Sequence, residues 1–346
     1  MAIQQHQRYR ELDALRGLAA MLVVLFHYSW GRPENRFEFS VGNTGVDLFF
    51  IISGFVIFMS LEKAENLRQF VGNRFARLYP AYWVCVILTY ILMQLYYQFN
   101  VIDYEKVHWR QLLANLSMFQ HYLGMPDIDG PYWTLLVELN FYILMGVLYK
   151  LKLLRHIELW GAVACVAFLF LSWFTGHDGV KRLFAAIPVM QYFPLFFIGM
   201  LCYRLYSGSA KTPLVLSLVL LCALCQCLMF ESTGRNIFLK QSTYSYAIAA
   251  YTLMFLLFAF HKLKFITVQP LLFVGKVSYP LYLTHQFICL NLLFPFFTDR
   301  LQINFYLSAF AIVLPVLIGI AAAVTYLVEV PAQKKLRAIF NKRPSN

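Results

Sequence analysis

Apolar residues dominate this chain in long runs, separated by short polar stretches. Runs near the 20-residue length needed to cross a bilayer fall at about 12–30, 43–61, 76–98, 131–150, 157–175, 183–205, 212–230, 244–261, 271–294 and 303–329, several interrupted by Pro or Gly. The pattern predicts an all-α polytopic membrane protein with about ten transmembrane helices. Leu12 to Trp30 is long enough to span, and no small-residue cleavage site clearly follows it, so a cleaved signal peptide is not expected.

Composition agrees with that pattern. A chain of 346 residues that is 60% hydrophobic, with a mean hydropathy of +0.61, is too apolar for a soluble domain. Basic residues then set the orientation. With both termini cytoplasmic, about 20 of the 29 Lys and Arg fall inside, most of them in Lys63–Arg77, Lys150–Arg155, Lys262–Lys276 and the tail from Lys334. The opposite face mixes the remainder with Asp103, Glu105, Asp127, Asp129 and Asp178. The net charge of +12 therefore reflects topology and gives no reason to propose nucleic acid as a partner. No appended soluble domain or internal repeat is evident, so residues 1–346 read as a single transmembrane domain with a short basic tail.

The longest stretch between spans, Asn100 to Gly130, carries Trp109, Leu112, Leu113, Leu116 and Phe119 at helical spacing. That predicts an amphipathic helix in the interface, placed to cap the outer mouth of a cavity. All seven cysteines fall within spans. Cys222, Cys225 and Cys227 have no His or carboxylate beside them, so they read as packing thiols rather than a metal or redox site.

Chemistry is concentrated in a few intramembrane polar groups. Arg16 and His27 are eleven residues apart on the first helix, so they share a face about 16 Å apart. A charge in hydrocarbon costs roughly 3 kcal/mol or more unless it faces a polar cavity, which favours a functional site; snorkelling of Arg16 and a helix–helix bond from His27 is the plainer alternative. Asp47 begins the second span, where it can meet His27 in the outer half of the slab. Such a carboxylate would fix the imidazole tautomer for general-base work, although an acidic residue at a helix N-terminus is also favoured by the dipole. Arg74 and Arg77, three apart, can grip phosphate oxygens together or simply contact anionic lipid. Glu138 lies inside the fourth span and needs a cation or hydroxyl partner, while Trp133 fits either the aromatic belt or a sugar ring. Ser278, Tyr282 and His285 form a polar stripe that suits a substrate channel or an interhelical seam.

Taken in order, these segments resemble the acyltransferase-3 family of transmembrane O-acyltransferases. The resemblance covers nearly the whole chain: Leu12-Asp13-Ala14-Leu15-Arg16-Gly17 with His27, then Gly45-Val46-Asp47-Leu48-Phe49-Phe50 and Ser53-Gly54-Phe55. It continues through Arg74 and Arg77 before Leu78-Tyr79-Pro80, Trp133 with Glu138, Ser278-Tyr279 with Tyr282 and His285, and Glu329-Val330-Pro331. It implies a bacterial inner-membrane enzyme that takes an acyl group, most often acetyl, from acyl-coenzyme A used as co-substrate, with no permanently bound cofactor and no metal. His27 with Asp47 would be the catalytic pair. Arg74 and Arg77 would hold coenzyme A, and Arg16, Trp133, Glu138, Tyr282 and His285 would line the substrate path. The implied acceptor is a cell-surface or lipid-linked glycan, such as exopolysaccharide or lipopolysaccharide, with a non-carbohydrate small molecule as the alternative. Membrane lipid and proteins of polysaccharide biosynthesis are the implied partners. No fused extracytoplasmic hydrolase-like domain is seen, so either this protein completes the transfer or a separate partner does. A secondary transporter would also need intramembrane Arg, His, Asp and Glu, but matching halves with broken helices are not evident.

Overall fold

The computed structural model describes residues 9–30, 39–99 and 107–341; Asp103 and Glu105 lie outside them. The protein is all-α, with no strand among the described residues. Its helices are α1 (Arg10–Ser29), α2 (Gly45–Glu62), α3 (Leu67–Gln98), α4 (Trp109–Leu116), α5 (Trp133–Lys150), α6 (Ile157–Ser172), α7 (Asp178–Ala186), α8 (Val189–Tyr206), α9 (Thr212–Leu228) and α10 (Gln241–Ala259). Two long broken helices follow, α11 (Gln269–Arg300) and α12 (Phe305–Phe340). Among the described residues eight helices are long and apolar enough to cross a membrane. The segment expected at 183–205 is α7 and α8 together, bent by 52° at Pro188, and α9 is an apolar helix of 17 residues. All ten predicted segments are thus helical, and the protein is a multi-pass membrane protein.

Glycine pairs set how closely the central helices approach. A Cβ on Gly275 of α11 would overlap the Asp13 carbonyl of α1, and one on Gly17 would overlap Leu271. The same close approach joins α2 to α8 at Gly54 and Gly199. Backbones that touch gain dispersion contact where lipid offers no hydrophobic drive, so small residues mark the two most extensive helix pairs, α1 with α11 and α2 with α8. Arg204 on α8 clasps Glu62 and Glu158, each at 3.2 Å, and so ties α8 to α2 and α6 at one end. That end also carries the Lys63 loop, Lys150 and the N-terminus of α1, and is called the basic end here.

The predicted interfacial helix exists as α4. Its register is partly rotated from expectation: Leu112 and Leu116 pack on the core, while Trp109 and Leu113 are exposed. Hydroxyl and indole groups of α3 hold its C-terminal turn, with Tyr79 donating to the Ser117 carbonyl at 2.9 Å and Tyr82 to Asn115 at 2.7 Å. Cys165 and Cys222 meet at 3.8 Å between α6 and α9 as packing sulfurs.

Candidate functional site

Polar side chains gather along one face of α1 in two groups. The first lies toward the basic end. Arg16 sits one turn after Asp13 and pairs with it at 3.4 Å. Across from it, Glu138 of α5 accepts hydrogen bonds from Ser53 Oγ of α2 at 2.9 Å and from the Tyr142 hydroxyl one turn along its own helix. Arg74 donates to Ser60 Oγ at 3.3 Å, with no carboxylate in ion-pair range among the described residues. Arg77 pairs with Glu329 of α12 and lies over the Tyr279 ring at 5.3 Å.

Arg74 and Arg77 therefore share a helix face but not a partner. Glu329 occupies a π-helical stretch, Thr325–Glu329, where one extra residue per turn swings its side chain toward α3. Gln333 donates to the same Glu329 oxygen at 3.4 Å. Arg16, Arg77 and Glu138 remain close enough for their charges to act on one another, with the neutral Tyr142 hydroxyl beside them. The result is a nearly balanced cluster, in which Arg74 is the cation best able to take an incoming anion.

The second group lies eleven residues up α1. His285 of α11 is fully buried, and its Nδ1–H donates to the Tyr282 carbonyl at 2.8 Å, which leaves Nε2 as an acceptor. That Nε2 lies 3.1 Å from Nδ1 of His27, which is also 2.9 Å from the Val23 carbonyl. Both neighbours accept, so His27 carries its proton on Nδ1 and presents a lone pair on Nε2. The Tyr282 hydroxyl bonds Thr134 at 2.9 Å, and Phe49 packs edge-on against the Tyr282 ring. Trp133 lies beside Tyr192, with ring centroids 5.8 Å apart.

Asp47 departs from expectation. Instead of His27, it takes Arg235, whose Nη2 is 3.3 Å from both carboxylate oxygens; the two side chains are among the least exposed charges in the protein. Asn43 also accepts from Arg235, and Tyr192 lies under the guanidinium at 5.9 Å. The first turn of α2 faces α8 and α10, where a buried carboxylate finds a true cation. A cation compensates a buried carboxylate far better than a neutral imidazole, so the geometry follows the electrostatics.

Outside the spans, Asp129 is buried in the loop before α5. Burial pushes its carboxyl up to about 7, against backbone bonds from Phe287 and Gly130 that pull it down. Its Oδ2 accepts from the Phe287 N–H at 3.3 Å, two residues past His285 and at the turn where α11 becomes π-helical.

Sequence reasoning assigned no role to Arg235, Glu329, Tyr142 or Ser53. Tyr142 was findable, because it lies four residues after Glu138 and must share its face. Arg235 was not, since it sits in a short polar loop with no periodicity.

Residues 9–327 match the acyltransferase-3 family profile, described as an acyltransferase domain. Similar proteins include a putative acetyltransferase, ORF330, of Acidianus two-tailed virus, 22% identical over 283 residues covering 78% of this chain and 80% of that one. The O-acetyl transferase of Shigella phage Sf6 is 32% identical over 148 residues, 39% of this chain and 44% of that one. The O-acetyltransferase OatA of Staphylococcus aureus is 24% identical over 363 aligned positions; these take in 94% of this chain but only 57% of the relative. No solved structure matches the chain at a significant level.

Proposed function

The chain belongs to the acyltransferase-3 family, and from that premise we propose that it moves an acetyl group from acetyl-coenzyme A to a hydroxyl of a carbohydrate, a cell-surface or lipid-linked glycan, in a bacterial inner membrane. The observation that carries this reading is the pair of polar groups on one face of α1. Arginines able to meet phosphate stand near Arg16 at the basic end, and an oriented imidazole stands about 16 Å along α1 from Arg16. That separation suits a donor whose phosphates and reactive thioester lie at opposite ends of a flexible arm. The basic end then faces the cytoplasm, where acetyl-coenzyme A is available.

Arg74 meets the donor phosphates, and Arg77 joins it by exchanging Glu329 for phosphate. Arg16 and Glu138 line the path of the arm. At the far end, His27 Nε2 takes the proton of the acceptor hydroxyl as its oxygen attacks the thioester carbonyl. The C–O bond forms, the C–S bond breaks, and the departing coenzyme A thiolate takes the proton back from His27. Tyr282 supplies a hydroxyl for the developing oxyanion, and Trp133 stacks on the acceptor ring. His285 orients His27, the part first expected of Asp47. The Asp47–Arg235 pair instead holds the wall of the acceptor end. The OatA and Sf6 names support acetyl as the group and oxygen as its destination.

The test is release of free coenzyme A by the purified full chain in lipid nanodiscs, dependent on an added glycan acceptor. Mass spectrometry of surface glycans from cells with and without the protein identifies the acceptor. Hydrolysis of donor at the same rate without any acceptor would contradict the proposal.

A further inference from the structure

A lateral groove of about 390 Å³ lies between α3 and α5. Its walls are Leu67, Val71 and Phe75 on one side and Ile143 and Val147 on the other. Val71, Ile143 and Val147 are about half exposed on the outer face of the bundle, so the groove opens sideways toward lipid. Along α3 it runs from Leu67 to Tyr79, twelve residues or about 18 Å. One leaflet is half of a roughly 30 Å hydrocarbon core, so the groove reaches the full depth of a single leaflet. Exposed Lys150, in the last turn of α5, stands at one end, and Arg74 lies on the inner wall about 10 Å along α3 from Leu67.

Gly146 explains why the groove is open. At Gly17, Gly54, Gly199 and Gly275 an added Cβ would strike the neighbouring backbone, so those glycines serve helix contact. At Gly146 a Cβ would meet only Leu67 Cδ1, at 3.4 Å. Here the missing side chain leaves space instead of closing it.

We propose that this groove binds one anionic phospholipid of the leaflet at the basic end, with an acyl chain along its apolar length, the phosphate held by Lys150 at the groove's end and the Arg74 side chain reaching toward it from the inner wall. Cation at the headgroup depth and apolar wall beneath it repeat the order of charge and hydrocarbon in the lipid itself. Arg74 also belongs to the polar cluster beside Arg16, so bound lipid and acyl donor would share one guanidinium. That last link alone rests on the reading of Arg74 as a donor contact.

The test uses the full chain in nanodiscs containing a trace of phosphatidylglycerol with a photoactivatable acyl chain, and neither donor nor acceptor. It therefore succeeds or fails independently of acyl transfer. Crosslinks mapped by mass spectrometry should concentrate on Val71, Phe75, Ile143 and Val147. Lys150→Gln should lower them about fivefold, the scale of one juxtamembrane cation. Gly146→Phe, which places a ring in open space, should remove them while the thermal unfolding temperature holds. Labelling spread evenly to lipid-facing residues elsewhere, such as Leu220 and Leu224 on α9, would overturn the proposal. Equal labelling by a phosphatidylcholine probe would also overturn it. Should Gly146→Phe fail to fold, the Lys150→Gln comparison still decides the matter.

Discussion

Replacing His285 with Leu removes the acceptor that faces His27 Nδ1 at 3.1 Å while keeping an apolar side chain of similar reach in a fully buried site. His27 does not lose all orientation, because the Val23 carbonyl still lies 2.9 Å from the same nitrogen. One hydrogen bond of two is lost, a net contribution of about 1.4 kcal/mol, which is a tenfold change. The variant should therefore show kcat lowered about tenfold, with the KM for donor unchanged. Complete loss of a general base costs more, about 10²- to 10⁴-fold, so the two effects are separable. His285→Gln gives the discriminating control. Its amide oxygen can accept from His27 Nδ1–H, so kcat should recover to within about threefold of the unaltered enzyme, a residual difference of under 1 kcal/mol. In a His27→Ala background His285→Leu should add little, since the two residues act as one unit. The assay is initial-rate coenzyme A release from protein in nanodiscs, normalised to folded protein. Equal turnover in the Leu and Gln variants would refute the orienting role.

Three further outcomes follow from the geometry. Arg74→Lys keeps the charge but loses the planar fork, so donor KM should rise by about tenfold, the loss of one charge-assisted bond, with kcat little changed in the same assay. Asp47→Asn leaves Arg235 buried without its counter-charge, a defect of roughly 3–5 kcal/mol, so the yield of folded protein should fall by more than turnover per folded molecule; adding Arg235→Gln should restore the yield in size-exclusion profiles. Asp129 has a folded-state value of about 7, above the ordinary carboxylate range, so its stabilising contribution is full below pH 4 and is lost as pH rises through 7. Unfolding followed by a thiol-reactive dye, which reports the largely buried cysteines, should show Asp129→Asn gaining on the unaltered protein from pH 6 to pH 8.

Hydropathy made the fold legible because each span must bury its backbone polar groups within one helix, which leaves a long apolar signature. Two local details lay beyond it. The bend at Pro188 and the 17 residues of α9 reflect packing among neighbours, which a window average does not register. Arg16 and His27 were legible from spacing alone, since both lie on one regular helix. The His27–His285 contact was half legible: the polar stripe of Tyr282 and His285 stood out, but which helix it faced depends on the Gly17–Gly275 approach of α1 to α11. Arg235 was invisible because a cation in a polar loop carries no signal until the chain folds it over Tyr192 and onto Asp47. Glu329 stood in a recognised segment, yet only the π-helical turn at Thr325–Glu329 aims it at Arg77.

The central claim is that His27 performs acyl transfer from coenzyme A to an acceptor hydroxyl. The most direct measurement is acceptor acylation by purified His27→Ala protein, supplied with acetyl-coenzyme A and the glycan acceptor, and compared with unaltered protein of equal folded yield. A fall of at least about 10²-fold is predicted, with donor binding retained. Acylation within a few-fold of the unaltered rate would contradict the claim.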